Sequence, residues 1–250
     1  PKALAAMEEA NQVFVEMEEL LENAGQAVAD MIGAEAAHIT SGAAAALAMG
    51  AAGIMTGSDL ERVAKLPNTT GMKNEFLIQR RSRYTYERPA TTSGAVLIDV
   101  GDENGTTAGQ IVDAIGPDTA GILQVGHTED YEGTVPISDV VAIAQDNGIS
   151  VLLDAAYQIY PVERMTEMAQ SGADVVCFSA KYFGGPNSTG FLCGPKESVD
   201  AAALNGFMAY ETGGRVSLGR GYKLDRQDVV ATVTLLEEWL QMDHQKRLDL

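Results

Sequence analysis

Residues 177–194 read CFSAKYFGGPNSTGFLCG, two apolar strand-like runs joined by a glycine-rich turn. A single amine, Lys181, lies where the first run ends. Lysine is rarely buried in proteins unless its charge is paired or its amine is reactive. A solvent-exposed loop lysine is the ordinary alternative at such a position. The residues at the ends of the other strands of the chain decide between the two.

Strand and helix patterns alternate along most of the sequence. Four of the strand-like runs are SGAVLIDVG (93–101), TAGILQVG (119–126), ISVLLDAA (149–156) and ADVVCFSA (173–180). The last two are nearly continuous apolar runs, as expected for strands buried in the centre of a sheet. Alternating strands and helices predict an α/β protein with a mostly parallel sheet that is covered by helices on both faces.

Helical patterns dominate the two ends of the chain. Apolar residues such as Val13 recur at helical spacing within residues 2–31, which predicts a helix there. A long amphipathic helix is predicted from Asp225, which is a suitable N-cap. We therefore expect an N-terminal helical segment, a large α/β domain and a final long helix that leads towards a smaller domain, over residues 1–31, 32–224 and 225–250.

The composition is that of a globular protein with a strongly acidic charge. The 250 residues are 46% apolar and carry a formal net charge of −18, which disfavours nucleic-acid binding. The cluster of Arg80, Arg81 and Arg83 is more typical of a site for a small anion or a carboxylate. The sequence has no apolar run long enough to predict a membrane helix, and its acidic beginning is unlike a signal peptide.

The two cysteines, Cys177 and Cys193, lie in the apolar runs that flank the glycine-rich turn. Free cysteine behaves as a small hydrophobic residue, so core packing is favoured over a disulfide or a metal pair. Two cysteines without an export signal are typical of a reducing cytoplasm. We expect a cytoplasmic protein without a metal site.

A second strand end carries the pattern of an anion site. The run ITSGAAAALA (39–48) changes from strand to helix at Ser41 and Gly42, with Ala43 next. The first N–H groups of a helix have no intrahelical partner, and together with the helix dipole they bind phosphate. Close packing of a small-residue helix with a serine cap is the alternative.

A third strand end carries an acid, because Asp154 closes the apolar run VLLD. A buried carboxylate needs a compensating partner. A metal ion is disfavoured because no second carboxylate or histidine lies close in sequence; a protonated ring nitrogen and a local turn bond remain. Ligands bind at the carboxyl ends of strands in such sheets. A phosphate cup, an acid and Lys181 at three strand ends are what pyridoxal 5′-phosphate requires.

The chain resembles fold type I pyridoxal-phosphate enzymes of the group that contains L-seryl-tRNA(Sec) selenium transferase (selenocysteine synthase). It is most similar to the D-glucosaminate-6-phosphate ammonia-lyase-like branch of that group. The resemblance covers nearly the whole chain and rests on five segments: GAEAAHITSGAAAALAMGAAGIMTG (33–57), LPNTTGMKNEFLIQ (66–79), VLLDAAYQIYP (151–161), GADVVCFSAKYFGGPNSTGFLCG (172–194) and GRGYKLDRQDVVATVTLLEEWL (219–240).

The resemblance implies a role for each matching position at the cofactor. Lys181 corresponds to the Schiff-base lysine, and Asp154 to the partner of the pyridine nitrogen. The phosphate is expected to be held by Ser41, Gly42 and Ala43, helped by Ser179.

Other positions are implied to complete the site. Family members have a histidine after the FLIQ strand that stacks on the cofactor; here Ser82 lies near that place, so Tyr84, Tyr86 or an arginine plane takes its role. His127 is expected to contact the cofactor's phenolic oxygen or the substrate, with an ordinary loop histidine as the alternative. Substrate-binding roles are expected for Arg83, Asn187 and Arg220, with Arg215 as a further candidate for anion binding.

The implied reaction is an α,β-elimination on an amino acid or an amino sugar acid, which gives a 2-keto acid and ammonia. Selenium transfer to seryl-tRNA is an alternative, although the net charge of −18 disfavours it. Aldolase, racemase and aminotransferase chemistry, or a catalytically inactive homologue, are others, because the fold does not fix the reaction. We also expect a homodimer or a larger even assembly, and a smaller C-terminal domain that is missing or truncated.

Overall fold

The computed structural model describes residues 2–212, 214 and 216–248. These residues form a seven-stranded sheet with the strand order β1-β7-β6-β5-β4-β2-β3. The strands are β1 (Ala36–Thr40), β2 (Glu75–Gln79), β3 (Val96–Val100), β4 (Thr119–Val125), β5 (Ser150–Asp154), β6 (Val175–Ser179) and β7 (Gly190–Gly194). Strands β2 to β6 pair in parallel, whereas β7 is antiparallel to both β1 and β6. The predicted α/β class with a mostly parallel sheet is confirmed.

Helices connect the strands and cover the sheet. They are α1 (Lys2–Asn11), α2 (Met17–Ile32), α3 (Ala43–Thr56), α4 (Leu60–Lys65), α5 (Arg88–Thr91), α6 (Ala108–Ala114), α7 (Ile137–Asn147), α8 (Glu163–Ala169), α9 (Lys196–Ala203), α10 (Phe207–Glu211), α11 (Arg226–Gln241) and α12 (His244–Leu248). No helix among the described residues is long and apolar enough to cross a membrane.

The core lies on both faces of the sheet. The neighbouring residues Leu152 and Leu153 of β5 point to opposite faces, as successive strand residues do. Leu152 belongs to an apolar cluster with Met49 of α3 and Phe76 of β2. Leu153 belongs to a second cluster that extends to Trp239 of α11. The central strands are therefore buried on both sides, which explains their continuous apolar sequence.

The reversed strand β7 brings the glycine-rich turn next to the start of α3. A Cβ atom at Gly190 would lie 2.4 Å from the carbonyl oxygen of Phe178 and 2.9 Å from the amide nitrogen of Ala43. Only glycine fits such an approach without a shift of the backbone. The end of the glycine-rich turn therefore lies against the first turn of the predicted phosphate-binding helix.

The predicted helix over residues 2–31 is interrupted. Helix α1 ends at Asn11, and Val13 and Phe14 are exposed in the connection to α2. Helix α1 packs against α11, whereas α2 packs mainly against β1 and α11, so the chain has to change direction between them. The Arg226 side chain donates from Nε to the Ala10 carbonyl at 2.7 Å and from Nη2 to the Asn11 carbonyl at 3.3 Å. These bonds satisfy carbonyl groups at the end of α1.

The predicted long C-terminal helix is also divided. Helix α11 ends at Gln241, and α12 begins at His244. Asp225 takes the N-cap position of α11, but its side chain makes no capping hydrogen bond with the described residues. Both cysteines are buried in the sheet, consistent with the predicted core packing. The three-part division over residues 1–31, 32–224 and 225–250 stays a prediction.

Candidate active site

A cavity of about 490 Å³ opens at the carboxyl ends of the central strands. Its volume is typical of a site for a small molecule. Its lining comes from the turns that come after β1, β2, β4, β5 and β6. Among the residues predicted to bind the cofactor or substrate, those in the lining are Ser41, Gly42, Ala43, Tyr84, His127, Asp154, Ser179, Lys181 and Asn187.

The acid of this cavity is held by two donors. Asp154 is only 6% exposed. Its Oδ1 atom accepts a hydrogen bond from the Ala156 amide at 3.0 Å, and the Tyr84 hydroxyl donates to Oδ2. Burial raises the pKa of Asp154, and the two hydrogen bonds and the nearby His127 oppose that rise. Each carboxylate oxygen has a second lone pair, so the group keeps capacity for a further donor.

The start of α3 faces the cavity without a side-chain cap. Gly42 occupies the N-cap position with φ at +89°, in the region that favours glycine, and none of the described side chains caps the helix. Apart from the residues on either side of Gly42, the described atom nearest to a Cβ atom there would be the carbonyl carbon of Ser188, 4.0 Å away. The N–H groups of the first turn are thus left for a ligand, and the dipole makes an anion the favoured one.

Lys181 lies on a 3₁₀ turn, Ala180–Phe183, directly after β6. Its side chain is exposed, with the amine 4.8 Å from the centre of the Tyr182 ring. Of the two alternatives that the sequence left open for this lysine, a buried reactive amine and an exposed loop residue, the described residues leave its side chain exposed. An accessible amine at a cavity is nevertheless what attachment of a carbonyl compound needs.

Four aromatic rings, here called the aromatic wall, connect the acid to the lysine: Tyr84, His127, Tyr157 and Tyr182. Tyr84 and His127 meet edge to face with 5.6 Å between ring centres, and His127 stacks on Tyr157 at 5.5 Å. Tyr157 meets Tyr182 edge to face at 5.7 Å. Such ring pairs stabilise one another beyond the area that they bury. The aromatic wall fixes one side of the cavity.

Sequence reasoning missed two members of the wall. Tyr157 comes three residues after Asp154, and Tyr182 comes directly after Lys181. Both residues also line the cavity. Proximity in sequence to the two key residues was a signal that could have identified them.

The loops that carry the wall are tied together by Arg164, which the sequence analysis did not single out. Its Nε atom donates to Gln158 Oε1 at 3.2 Å, and its Nη2 atom donates to Glu129 Oε2 at 2.7 Å. Gln158 adjoins Tyr157, and Glu129 lies two residues after His127. Arg164 therefore joins the loop after β5 to the loop after β4.

The predicted substrate-binding arginines lie elsewhere. The Arg83 guanidinium binds Glu87, at 2.9 Å from Nε to Oε1, and also binds Asp99, outside the cavity lining. Arg220 is exposed, outside the cavity lining, with Nε 3.5 Å from Glu211 Oε1. Arg215 lies outside the described residues. Asn187 lines the cavity, and its role stays a prediction.

The structure also shows what lies near the position where family members have a stacking histidine. Ser82 is buried, and its hydroxyl lies 2.8 Å from the Thr128 hydroxyl. Tyr84 and Tyr86 both line the cavity, with 6.4 Å between their ring centres. Of these two, Tyr84 is the one that contacts the acid.

The fold is that of fold type I pyridoxal-phosphate enzymes. The chain belongs to the aminotransferase class-V family, whose profile matches residues 4–217. This family match and the relatives described next confirm the resemblance that was inferred from the five sequence segments.

Individual proteins of known sequence or structure are similar to most of the chain. The chain is 34% identical to D-glucosaminate-6-phosphate ammonia lyase of Salmonella typhimurium over 247 residues, which cover 96% of this chain and 63% of the relative. A solved structure of a D-glucosaminate-6-phosphate ammonia-lyase superposes with a TM-score of 0.87 and 31% identity, over 97% of this chain and 64% of that one.

Two further relatives carry other activities in their names. A 5′-C-glycyluridine monooxygenase-decarboxylase of a Streptomyces species is 27% identical, over 98% of this chain and 60% of the relative. An L-seryl-tRNA(Sec) selenium transferase of Desulfomicrobium baculatum is 30% identical, over 62% of this chain and 34% of the relative. The chain thus spans less than two thirds of the length of each of these relatives.

Proposed function

We propose that this cavity binds pyridoxal 5′-phosphate and that the protein catalyses an α,β-elimination on an amino acid or an amino sugar acid that carries a β-hydroxyl group, which releases a 2-keto acid and ammonia. The observation that carries the proposal is the meeting of three groups at one cavity: the uncapped start of α3, Asp154 and Lys181. The 34% identity to an ammonia lyase supports elimination as the reaction.

The residues present fit the cofactor. The bare first turn at Gly42 and Ala43, with Ser41 and Ser179 in the same lining, is suited to its phosphate. Asp154 is a buried carboxylate with room for one more donor, which suits a protonated ring nitrogen. The exposed amine of Lys181 would attach the cofactor through its aldehyde carbon.

Bound in this way, the cofactor supplies an electron sink for the bond that breaks at the substrate Cα atom. The Lys181 amine lines the cavity, and we assign it the Cα proton as general base. His127 faces the same cavity and is available to hold a proton at the leaving β-hydroxyl. The elimination releases the β-hydroxyl as water, and the hydrolysis that follows takes up one water. The products are therefore a 2-keto acid and ammonia.

A screen for ammonia release tests the proposed reaction. Purified protein with added cofactor is incubated with 2-amino sugar acids and with hydroxy amino acids, and ammonia and keto acid are measured together. We expect both products in equal amounts from at least one compound, and neither product from the Lys181→Ala variant. Keto acid without ammonia, or no product from any compound of these classes, would contradict the elimination.

Selenium transfer to seryl-tRNA is the alternative that the relatives support, through 30% identity over 62% of the chain. The net charge of −18 disfavours a polyanionic substrate. A filter-binding titration with seryl-tRNA at low salt separates the two functions, because tight binding would favour the transferase. Aldol cleavage, racemisation and amino transfer are separated from elimination by the products of the same screen.

We also propose that the protein is a cytoplasmic homodimer or a larger even assembly, as the class of enzyme suggests. The tyrosines at positions 86, 157 and 182 line the cavity and are exposed, and exposed aromatic surface is typical of an interface. Light scattering of the purified protein should give twice the chain mass of 26.4 kDa or an even multiple of it. A mass of one chain at micromolar concentration would contradict the dimer.

The Arg164 side chain allows a test of how much the joined loops after β4 and β5 contribute to cofactor binding. The Arg164→Met variant keeps much of the side-chain volume but loses the bonds to Gln158 and Glu129. Because charge-assisted bonds at partly exposed sites contribute about 1 kcal/mol, we expect roughly fivefold weaker cofactor binding in a fluorescence titration. The Arg62→Met variant, which removes a surface ion pair with Asp59, is the control. Equal affinities in both variants would show that the loops are held without Arg164.

A further inference from the structure

Tyr84 makes a contact that its predicted role does not explain. The sequence suggests a ring that stacks on the cofactor, yet the structure places the Tyr84 hydroxyl on Asp154, 70 positions further along the chain. A phenylalanine could provide the ring but not the hydroxyl. The hydroxyl contact therefore calls for a function of its own.

The position of Tyr84 is well determined by its surroundings. Its amide donates to Glu87 Oε2 at 3.2 Å, and its ring meets His127 edge to face. The Tyr84 backbone is extended and leads into a 3₁₀ turn over Thr85–Glu87. The chain thus holds the hydroxyl at the acid through a backbone hydrogen bond and a ring contact.

Asp154 depends on its donors for its charge. Burial favours the protonated carboxyl group, and hydrogen bonds to the carboxylate oppose this. Among the described residues, the Ala156 amide and the Tyr84 hydroxyl are the two donors to this group. Burial also raises the pKa of Tyr84 well above its usual range, so the phenol keeps its proton and remains a donor.

The other titratable groups around Asp154 come from the remaining elements of the site. His127 comes after β4, Tyr157 comes after β5 and Cys177 lies opposite Asp154 on β6. Lys181 shares the cavity lining with Asp154. His127 lowers the pKa of Asp154 electrostatically, whereas Tyr157 and Cys177, whose pKa values are raised, are neutral near pH 7. Tyr84 is thus the side chain that both contacts the acid and donates to it.

We propose that Tyr84 is a positioning residue for the cofactor's ring nitrogen. Its hydroxyl donates to Asp154 and keeps that carboxylate charged and directed into the cavity. The proton shared by the carboxylate and the ring nitrogen therefore stays on the nitrogen. The inference rests on the proposed cofactor, and it concerns the acid that holds the cofactor rather than the reaction. A Tyr84 ring that only stacked on the cofactor would not affect the position of this proton.

The Tyr84→Phe variant removes the donor and keeps the ring. We expect roughly tenfold weaker binding of pyridoxal phosphate in a fluorescence titration, as for loss of one hydrogen bond to a charged group. In protein loaded with ¹⁵N-labelled cofactor, the ring-nitrogen resonance should move towards that of an unprotonated pyridine. The Tyr131→Phe variant is the matched control, because its ring contacts His127 at 6.3 Å but its hydroxyl is not a donor to Asp154.

A double-mutant cycle with Asp154→Asn separates the hydroxyl contact from packing. If Tyr84 acts through the carboxylate, Tyr84→Phe should weaken cofactor binding much less in the Asp154→Asn background. An equal loss in both backgrounds, or an unchanged nitrogen resonance in Tyr84→Phe, would overturn the inference. Thermal melts of each cofactor-free variant verify that it is folded. Absence of cofactor binding by the unmodified protein would instead overturn the proposed function, and this inference with it.

Discussion

Replacing Lys181 by alanine is expected to abolish covalent attachment of the cofactor and to lower the elimination rate at least a hundredfold. Lys181 lines the same cavity as the acid and the start of α3, and a general base alone contributes about 10²- to 10⁴-fold to a rate. The unmodified protein loaded with pyridoxal phosphate should absorb in the visible range. The variant should lose that band on gel filtration, because its cofactor is held only by non-covalent contacts.

The Lys196→Ala variant is the matched control for this experiment. Lys196 is an exposed lysine that binds Asp200 on α9 at 2.8 Å, away from the cavity. This variant should keep the absorption band and the ammonia release of the unmodified protein. A retained band in Lys181→Ala would show that another lysine carries the cofactor, and the assignment would fail.

Replacing Asp154 by asparagine is expected to have two opposite effects. The loaded enzyme should lose about 10²- to 10³-fold in rate, as when one preorganised electrostatic group of a site is removed. The cofactor-free protein should gain stability relative to the unmodified protein near neutral pH, because burial raises the pKa of Asp154 and its charge is costly there. Residues that serve a site at the expense of stability behave in this way.

The pH dependence of that second effect has a definite sign. An aspartate whose folded-state pKa is raised binds a proton in the folded protein at pH values where the unfolded chain has lost it. Stability therefore falls as the pH rises from about 4, the unfolded value, through the raised folded value. The Asp154→Asn variant lacks this titration. The difference in melting temperature, variant minus unmodified protein, should increase from pH 4 to pH 8.

Thermal melts of the two cofactor-free proteins across that range provide the measurement. The Asp174→Asn variant is a useful comparison, because burial also raises the pKa of Asp174, whose Oδ2 accepts from the Val151 amide at 2.7 Å away from the cavity. It should shift stability without weakening cofactor binding. A difference for Asp154→Asn that stays constant or decreases with pH would contradict a raised pKa for this acid.

The sequence predicted those elements of the fold that are encoded by local apolar patterns. Apolar runs such as VLLD and VVCFS gave the central strands, and β5 and β6 were found with their acid and lysine. The reversal of β7 was missed, because a short apolar strand has the same pattern in either direction. The reversed strand places Gly190 against Ala43 of α3, and these two residues are 147 positions apart.

The interruption between α1 and α2 was missed for a similar reason. The segment from Gln12 to Glu16 contains neither glycine nor proline, so local signals favour a continuous helix. The change of direction is stabilised by Arg226, more than 200 residues away. Tertiary packing overrode local propensity there.

The residues of the candidate site also divide into those that local sequence patterns predict and those that only the structure shows. Gly42, Asp154 and Lys181 could be predicted because each lies at the end of a strand, where ligands bind in α/β sheets. The contacts of Tyr84 with Asp154 and of Arg164 with Glu129 join different loops. The sequence therefore predicted residues that line one cavity, whereas the contacts that hold them in place required the structure.

Reduction of the loaded protein with borohydride, then digestion and mass spectrometry, tests the central claim most directly. Borohydride makes the link between the cofactor and a lysine permanent, so the modified residue can be identified. We predict one phosphopyridoxyl group per chain, on the peptide that contains Lys181. A chain without the added mass, or a group on a lysine outside the cavity such as Lys196 or Lys223, would contradict the account.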